Sequence, residues 1–223
     1  MQTTTSPAAQ DYLKAIYGLG GEPGRAGSVS TKEVADRMNV SPASATNMLK
    51  RLADMGLVDH ARYRGVRLTD AGRSVALEVI RHHRLLETYL AQALGVPWDR
   101  VHDEAEVLEH VLSEDLEDRI AALLGHPTED PHGHPIPDKN GAMPRSPLRK
   151  LWEIDDGSEA RVERVPDSDP EGLRYLGAMG LRPGARVAVV ERGPVGGPLF
   201  VTVDEGADTR ALSRELAEAI WVS

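Results

Sequence analysis

The chain has 223 residues, 40 % apolar and 27 % charged, a globular composition with room for two or three small domains. No apolar run approaches the roughly 18 residues of a membrane span, the first eleven residues lack a secretory pattern, and the absence of cysteine excludes disulfides, thiolate nucleophiles, iron–sulfur clusters and Cys-ligated zinc. The net charge of −9 hides a split: residues 1–73 hold ten Lys+Arg against seven Asp+Glu, a net +3, and subtraction leaves sixteen against twenty-eight, a net −12, on 74–223, a basic head on an acidic body that suits a modular DNA-binding protein or a cation-binding surface.

The first predicted element is a helix over 11–19, with Leu13, Ile16, Tyr17 and Leu19 at helical spacing, ended by the Gly/Pro run 20–24. Ser30 or Thr31 caps a short helix over 32–38. A three-residue turn follows, and Ser41-Pro42 supplies N-cap and N1 of a helix reaching Met55, with Ala45, Met48, Leu49 and Leu52 inward and Gly56 closing it. Residues 57–61 and 66–68 read as a hairpin. A long helix runs from Thr69 to about Leu94 and is broken by Gly95-Val96-Pro97. A helix from Arg100 to His110 or Leu112 and one over 114–124, capped by Ser113, come next. The Pro/Gly-rich stretch 126–147 reads as a loop or linker. Beyond Leu151 come β-like segments at 161–165, 186–190 and 199–203, with Gly/Pro turns between them, the texture of a small barrel.

Helix, short turn, helix and hairpin is the order of a winged helix-turn-helix. Its second helix offers Ser41, Pro42 and Ala43 in a small-residue first turn, then Ser44, Asn47, Lys50 and Arg51 beside the apolar stripe. Asn47 can pair with adenine, and Ser44 can reach base or phosphate. Lys50, Arg51, Arg62, Arg64 and Arg67 can hold phosphates. The blander reading is a helical bundle with a solvated basic face, but the order of elements favours DNA.

The run from His102 to His110 carries His102, Glu106, Glu109 and His110 at spacings that share one helix face, and His83 and Glu87 form an i, i+4 pair on the preceding helix. So many imidazoles and carboxylates on faces expected to turn inward are costly without a cation. Any single pair is better explained as a salt bridge; the combination favours metal. His126, His132 and His134 lie in the Pro/Gly loop and read as structural or surface residues.

The winged helix, the run Arg81-His82-His83-Arg84-Leu85-Leu86-Glu87, the segment 101–113 and the motif Pro131-His132-Gly133-His134-Pro135-Ile136-Pro137 together resemble the diphtheria toxin repressor family over essentially the whole chain. The resemblance implies a mainly α protein with a small β module. Its parts are a winged helix-turn-helix over 1–73, a helical dimerisation and metal-binding domain with linker over 74–147, and an SH3-like domain over 148–223. It implies a cytoplasmic, homodimeric transcriptional regulator, not an enzyme, that binds a palindromic double-stranded DNA operator with Mn²⁺ or Fe²⁺ as corepressor and represses metal-uptake genes. The family's primary metal site falls on Asp11, Glu106, Glu109 and His110, and the ancillary site on His83, Glu87 and His102, with Glu163 and Asp167 as the nearest matches to further ligands from the SH3-like domain. Iron-responsive members carry Met and Cys where Asp11 and Glu106 stand here, which places the chain in the manganese branch, and hard carboxylate ligands agree with that. Lys14 stands where some manganese-branch members carry a second acidic residue, which argues against their two-metal arrangement. The competing classes are a metal-dependent hydrolase or di-metal oxidase, and a winged-helix sensor of an organic ligand. The first lacks an H-E-x-x-H or paired Glu-x-x-His pattern; the second has only 4 % aromatic residues to wall a pocket.

Overall fold

The computed structural model describes residues 5–20, 28–61, 65–144, 147–204, 206 and 208–223. It divides into two compact units that do not follow chain order. The first comprises 1–82, 109–112 and 137–142, and the second comprises 83–108, 113–136 and 143–223.

The first unit opens with α1 (Pro7–Gly20), α2 (Thr31–Arg37) and α3 (Pro42–Asp54), followed by the antiparallel hairpin of β1 (Val58–Ala61) and β2 (Gly65–Leu68). The turn at 62–64, with Arg62 and Arg64, lies outside the described residues. Local chemistry starts α2. The Ser30 hydroxyl accepts the Glu33 N–H while the Glu33 carboxylate accepts the Ser30 N–H, a capping box. Between α2 and α3 the chain turns through Asn39 at φ 51°, a left-handed position that asparagine tolerates. Leu13 and Ile16 of α1, Val34 of α2, Ala45, Leu49 and Leu52 of α3, and Val66 of β2 meet in one core. Leu13, Leu49 and Leu52 are fully buried, each contributing about 1.5–3 kcal/mol. The long helix α4 (Asp70–Leu94) starts where the Thr69 hydroxyl accepts the Gly72 N–H. A Cβ on Gly72 would lie 1.9 Å from the Leu57 carbonyl oxygen, so only glycine lets the helix start this close to the hairpin.

In the second unit lie α5 (Val101–Leu108), α6 (Glu114–Leu123) and a six-stranded antiparallel sheet. The sheet is built from β3 (Arg149–Lys150), β4 (Glu159–Arg164), β5 (Arg186–Arg192), β6 (Leu199–Val203), β7 (Arg210–Leu212) and β8 (Trp221–Val222), in the order β3-β8-β4-β5-β6-β7. Two short helices that the periodicity does not reveal complete it: α7 (Pro170–Ala178), capped by Asp169, and α8 (Arg214–Ala219), capped by Ser213. Their Leu173, Leu176 and Ala217 join the strand residues Val162, Val187, Val201 and Val222 in a second core.

Two local expectations change. Helix α5 stops at Leu108 rather than at His110 or Leu112, and Glu109 and His110 lie in a turn. The reason is a competing partner: the His82 ring Nδ1–H donates to the Glu109 carbonyl at 3.2 Å. The stretch 126–136 has no helix or strand, yet it is ordered by specific bonds. Glu129 and Pro135 form an isolated bridge, and the Val165 N–H donates to the His132 carbonyl at 3.0 Å. Gly133 sits at φ +85° with its missing Cβ only 1.8 Å from the Glu163 carbonyl oxygen, so the loop presses directly on β4.

Candidate metal centres and nucleic-acid interface

On α3, Ala45, Leu49 and Leu52 point into the core, while Ser41, Pro42, Ala43, Ser44, Asn47, Lys50 and Arg51 are exposed on the other face. The Ser41 hydroxyl caps the helix by accepting the Ser44 N–H at 3.1 Å, and the two serine hydroxyls are 2.9 Å apart. Arg67 is exposed on β2. This is a small-residue helix start with an amide and two cations behind it, the shape and chemistry of a major-groove reader.

Because residues 109–112 return to the first unit, they bring Glu109 and His110 to α1. His110 Nε2 lies 3.0 Å from Asp11 Oδ1 and 3.7 Å from Glu109 Oε1, and the three side chains are close enough to share an ion. The His110 Nδ1–H donates to the Gln10 side-chain oxygen at 2.7 Å. That fixes the tautomer and turns the Nε2 lone pair toward Asp11, the usual support for a metal-binding histidine. Glu109 is only 1 % exposed. Lys14 already neutralises it, donating to Oε1 at 3.0 Å and Oε2 at 2.9 Å.

A second group stands in the other unit. His83 Nε2, His102 Nδ1 and Glu87 Oε1 are mutually 3.1, 3.1 and 3.3 Å apart. Three donors at that spacing match one face of an octahedron around an ion about 2.2 Å away. Glu106 Oε1 is 3.7 Å from His102 Nε2 and 3.8 Å from His83 Nδ1, so its distances set it beside this group. Asp167 also reaches Glu87 and His102. Glu163 does not: its carboxylate accepts the Ser223 hydroxyl at 2.6 Å. Burial pushes the Glu87 carboxyl up, but hydrogen bonds from His102 and His83, with the His132 imidazole close by, overcome this and hold it well below the usual carboxylate range.

Spacing arguments pass over the loop residues that complete this region. His132 is fully buried; its Nε2–H donates to the Trp98 carbonyl at 2.8 Å, and its Nδ1 lies 3.8 Å from Glu87 Oε2. Burial pushes the His132 imidazole down, but the Glu87 carboxylate, Asp130 and the Trp98 carbonyl reverse that and raise it to about 9. His134 Nδ1 lies 3.4 Å from Asp130 Oδ2 and 3.5 Å from Asp167 Oδ2. The available signal is the alternation Asp130-Pro-His132-Gly-His134-Pro, in which every second residue carries a donor.

A winged-helix reader and clusters of carboxylate and imidazole donors define a DNA-binding protein equipped to hold divalent cations. Comparisons with known proteins agree. Residues 4–66 match the N-terminal DNA-binding domain of iron-dependent repressors, residues 69–138 their metal binding and dimerisation domain, and residues 149–223 the FeoA domain. The chain is 36 % identical to the iron-dependent repressor IdeR of Mycobacterium leprae over 227 aligned positions, covering 95 % of this chain and 94 % of that one. It is 33 % identical to the diphtheria toxin repressor of Corynebacterium efficiens, covering 82 % and 84 %. Among solved structures it is similar to a manganese-dependent transcriptional repressor in complex with manganese (TM-score 0.88, 46 % identity, covering 96 % of this chain and 98 % of that one) and to ScaR with bound Cd²⁺ (TM-score 0.81, 32 % identity, the same coverage). The chain belongs to the iron-dependent repressor family, that of the diphtheria toxin repressor and IdeR. Among the described residues no helix is long and apolar enough to cross a membrane.

Proposed function

We propose that the protein is a cytoplasmic, non-enzymatic repressor of metal-uptake genes that binds a palindromic operator as a homodimer, with Mn²⁺ in preference to Fe²⁺ as corepressor. The observation that carries this reading is the return of Glu109-His110 to α1, where His110 Nε2 stands 3.0 Å from Asp11 Oδ1 inside the unit that holds the exposed face of α3. A divalent cation bound there would supply the positive charge that lets these acceptors approach one another. The protein's own part is orientation: Gln10 sets the His110 tautomer, and His82 holds the turn by the Glu109 carbonyl. Preorganised half-sites about 34 Å apart then fit a palindrome.

Asp11, Glu109 and His110 are the ligands we assign to the first ion, whereas Glu106, expected with them, stands beside His83 and His102. His83, Glu87, His102 and Asp167 are those of the second, and Glu163 is set aside because its carboxylate faces Ser223. Oxygen and imidazole donors without thiolate or thioether support the manganese assignment. The similarity to a manganese-dependent repressor supports it further. Exposed Val107 and Val111 (71 % and 77 %) and Leu123 (70 %) support association with a second copy.

Selection from a random duplex library, with Mn²⁺ or chelator at fixed salt, tests the reading. Mn²⁺ should enrich an inverted repeat with half-sites about one helical turn apart, and light scattering should show two chains per complex. Enrichment that is equal with chelator would refute metal control.

A further inference from the structure

We propose that a pocket between the turn after α4 and helix α7 is a binding site for a small organic acid with one carboxylate and an apolar body. The pocket lies within the second unit and encloses about 450 Å³, a size suited to a small molecule. The turn 97–99 forms one wall, and Arg174, Gly177 and Ala178 of α7, with Arg182 beyond it, form the other. Two donors here are unspent. The Arg182 guanidinium has no carboxylate or carbonyl partner among the described residues, and the Trp98 indole N–H has no acceptor among them. Their atoms converge on one point. A Cβ built on Gly177 would lie 3.0 Å from Arg182 Nη2 and 3.3 Å from Trp98 Nε1. Those are hydrogen-bond distances, so one oxygen near that point is within reach of both donors. Glycine is a poor helix former, yet α7 carries it where any side chain would take that oxygen's place.

The charge balance selects the ligand. Asp99 neutralises Arg174, whose Nη1 is 3.1 Å from Asp99 Oδ2. The Arg182 guanidinium, 4.1 Å from the centre of the Trp98 ring that it covers, is then the one charge left over among the lining residues. A single carboxylate matches it, whereas a dianion would keep an uncompensated charge beside Asp99. The surroundings are acidic, a net −12 over residues 74–223, so a lining with a net positive charge is a local exception. Pro97, Ala178 and the indole supply apolar walls for a carbon chain. The indole is also fixed in advance. It stacks on the His132 ring at 5.7 Å between centroids, and the Trp98 carbonyl accepts the His132 Nε2–H at 2.8 Å, so little ordering is left for the ligand to bring about.

The inference does not depend on the DNA or metal readings. Full-length, metal-free protein labelled with ¹⁵N gives one indole N–H signal for each of its three tryptophans, and Trp98→Phe identifies that of Trp98. Hexanoate, hexanamide and inorganic phosphate are titrated at fixed ionic strength. Hexanoate should move the Trp98 signal saturably, and hexanamide should bind at least about tenfold more weakly because a charge-assisted bond is lost. Gly177→Ala fills the oxygen's place while favouring the helix. It should weaken hexanoate binding about tenfold or more with no fall in melting temperature, and Arg182→Gln should weaken binding likewise. Equal binding of hexanoate and hexanamide overturns the proposal, as does unchanged affinity in Gly177→Ala and Arg182→Gln. Phosphate binding as tight as that of hexanoate would make this an inorganic-anion site, and tighter binding of a glutamate-rich peptide would make it a protein-docking site; either result rejects the small-acid assignment.

Discussion

Glu109 and Glu87 are both buried beside histidines, and they are neutralised in different ways. Glu109, in the first unit, already has a permanent cation: the Lys14 ammonium touches both of its oxygens. Glu87, in the second, is approached most closely by imidazoles, those of His83, His102 and His132. A buried charge must be compensated in either case. A cation arriving at the first group competes with a lysine that cannot leave the chain. One arriving at the second competes chiefly with the protons of these imidazoles. The first group should therefore be the weaker and more switch-like binder and the second the tighter and more pH-dependent one.

The largest effect should come from His110→Ala. It removes the ligand that joins the turn after α5 to Asp11, and Mn²⁺-dependent operator affinity should fall by about a thousandfold, about 4 kcal/mol. His102→Ala should cost only about ten- to a hundredfold, the range of a supporting site. Fluorescence anisotropy on labelled operator at fixed salt measures both. If His102→Ala proved the more damaging, the roles of the two groups would be reversed.

Next is the pH dependence of the metal-free protein. The folded His132 imidazole lies at about 9 against an ordinary 6.5. Its contribution is fully present below 6.5 and is lost as pH rises through about 9. The linkage is about 3 kcal/mol for a shift of that size. Glu87, held low, contributes above the ordinary carboxylate range and loses that contribution as pH falls through its depressed value. Chelator-treated protein should thus melt at its highest temperature near pH 5–6 and fall off by pH 9. His132→Gln should flatten the alkaline limb; an unchanged limb would remove His132 from the account.

Lys14→Met sharpens the comparison at the other carboxylate. Breaking a buried pair costs about 3–5 kcal/mol, and the partial exposure of Lys14, 20 % by side chain, lowers this to about 2 kcal/mol in chelator. With Mn²⁺ the loss should be largely recovered and affinity at the first group raised by about tenfold, because the ion becomes the sole counter-charge. Urea unfolding with and without Mn²⁺ reads both. Equal destabilisation in the two conditions would mean that lysine and metal do not compete.

These features were unequally visible in the amino-acid sequence. The capped, periodic helices α1 to α4 and the His83–Glu87 pair follow from local spacing. The end of α5 does not, because the His82 ring that takes the Glu109 carbonyl is 27 residues away. Helices α7 and α8 are too short to show a period, and each is held by one or two core side chains. The loop around His132 looks like a linker because its order is entirely long-range: Trp98 beneath the imidazole, Glu163 against Gly133, and Arg84 bonded to the Pro135 carbonyl. Asp167, one residue away from the expected spacing, is brought in by the chain after β4 rather than by any helical register.

The smallest effect falls on the reading face. Asn47 is exposed on α3, one turn beyond Ser44 and opposite the buried Leu49, where an amide can meet an adenine edge. Asn47→Ala removes no core contact and leaves the cations Lys50, Arg51 and Arg67 in place, so binding to random DNA and its salt dependence should not change. Specific binding should weaken by about 1–2 kcal/mol. Arg67→Ala should do the opposite, weakening specific and random DNA alike and lowering the salt slope by about one. The pair of variants separates base reading from phosphate holding with the metal groups untouched. If Asn47→Ala lowered both affinities equally, α3 would be gripping the backbone, and sequence readout would have to be sought elsewhere in the molecule.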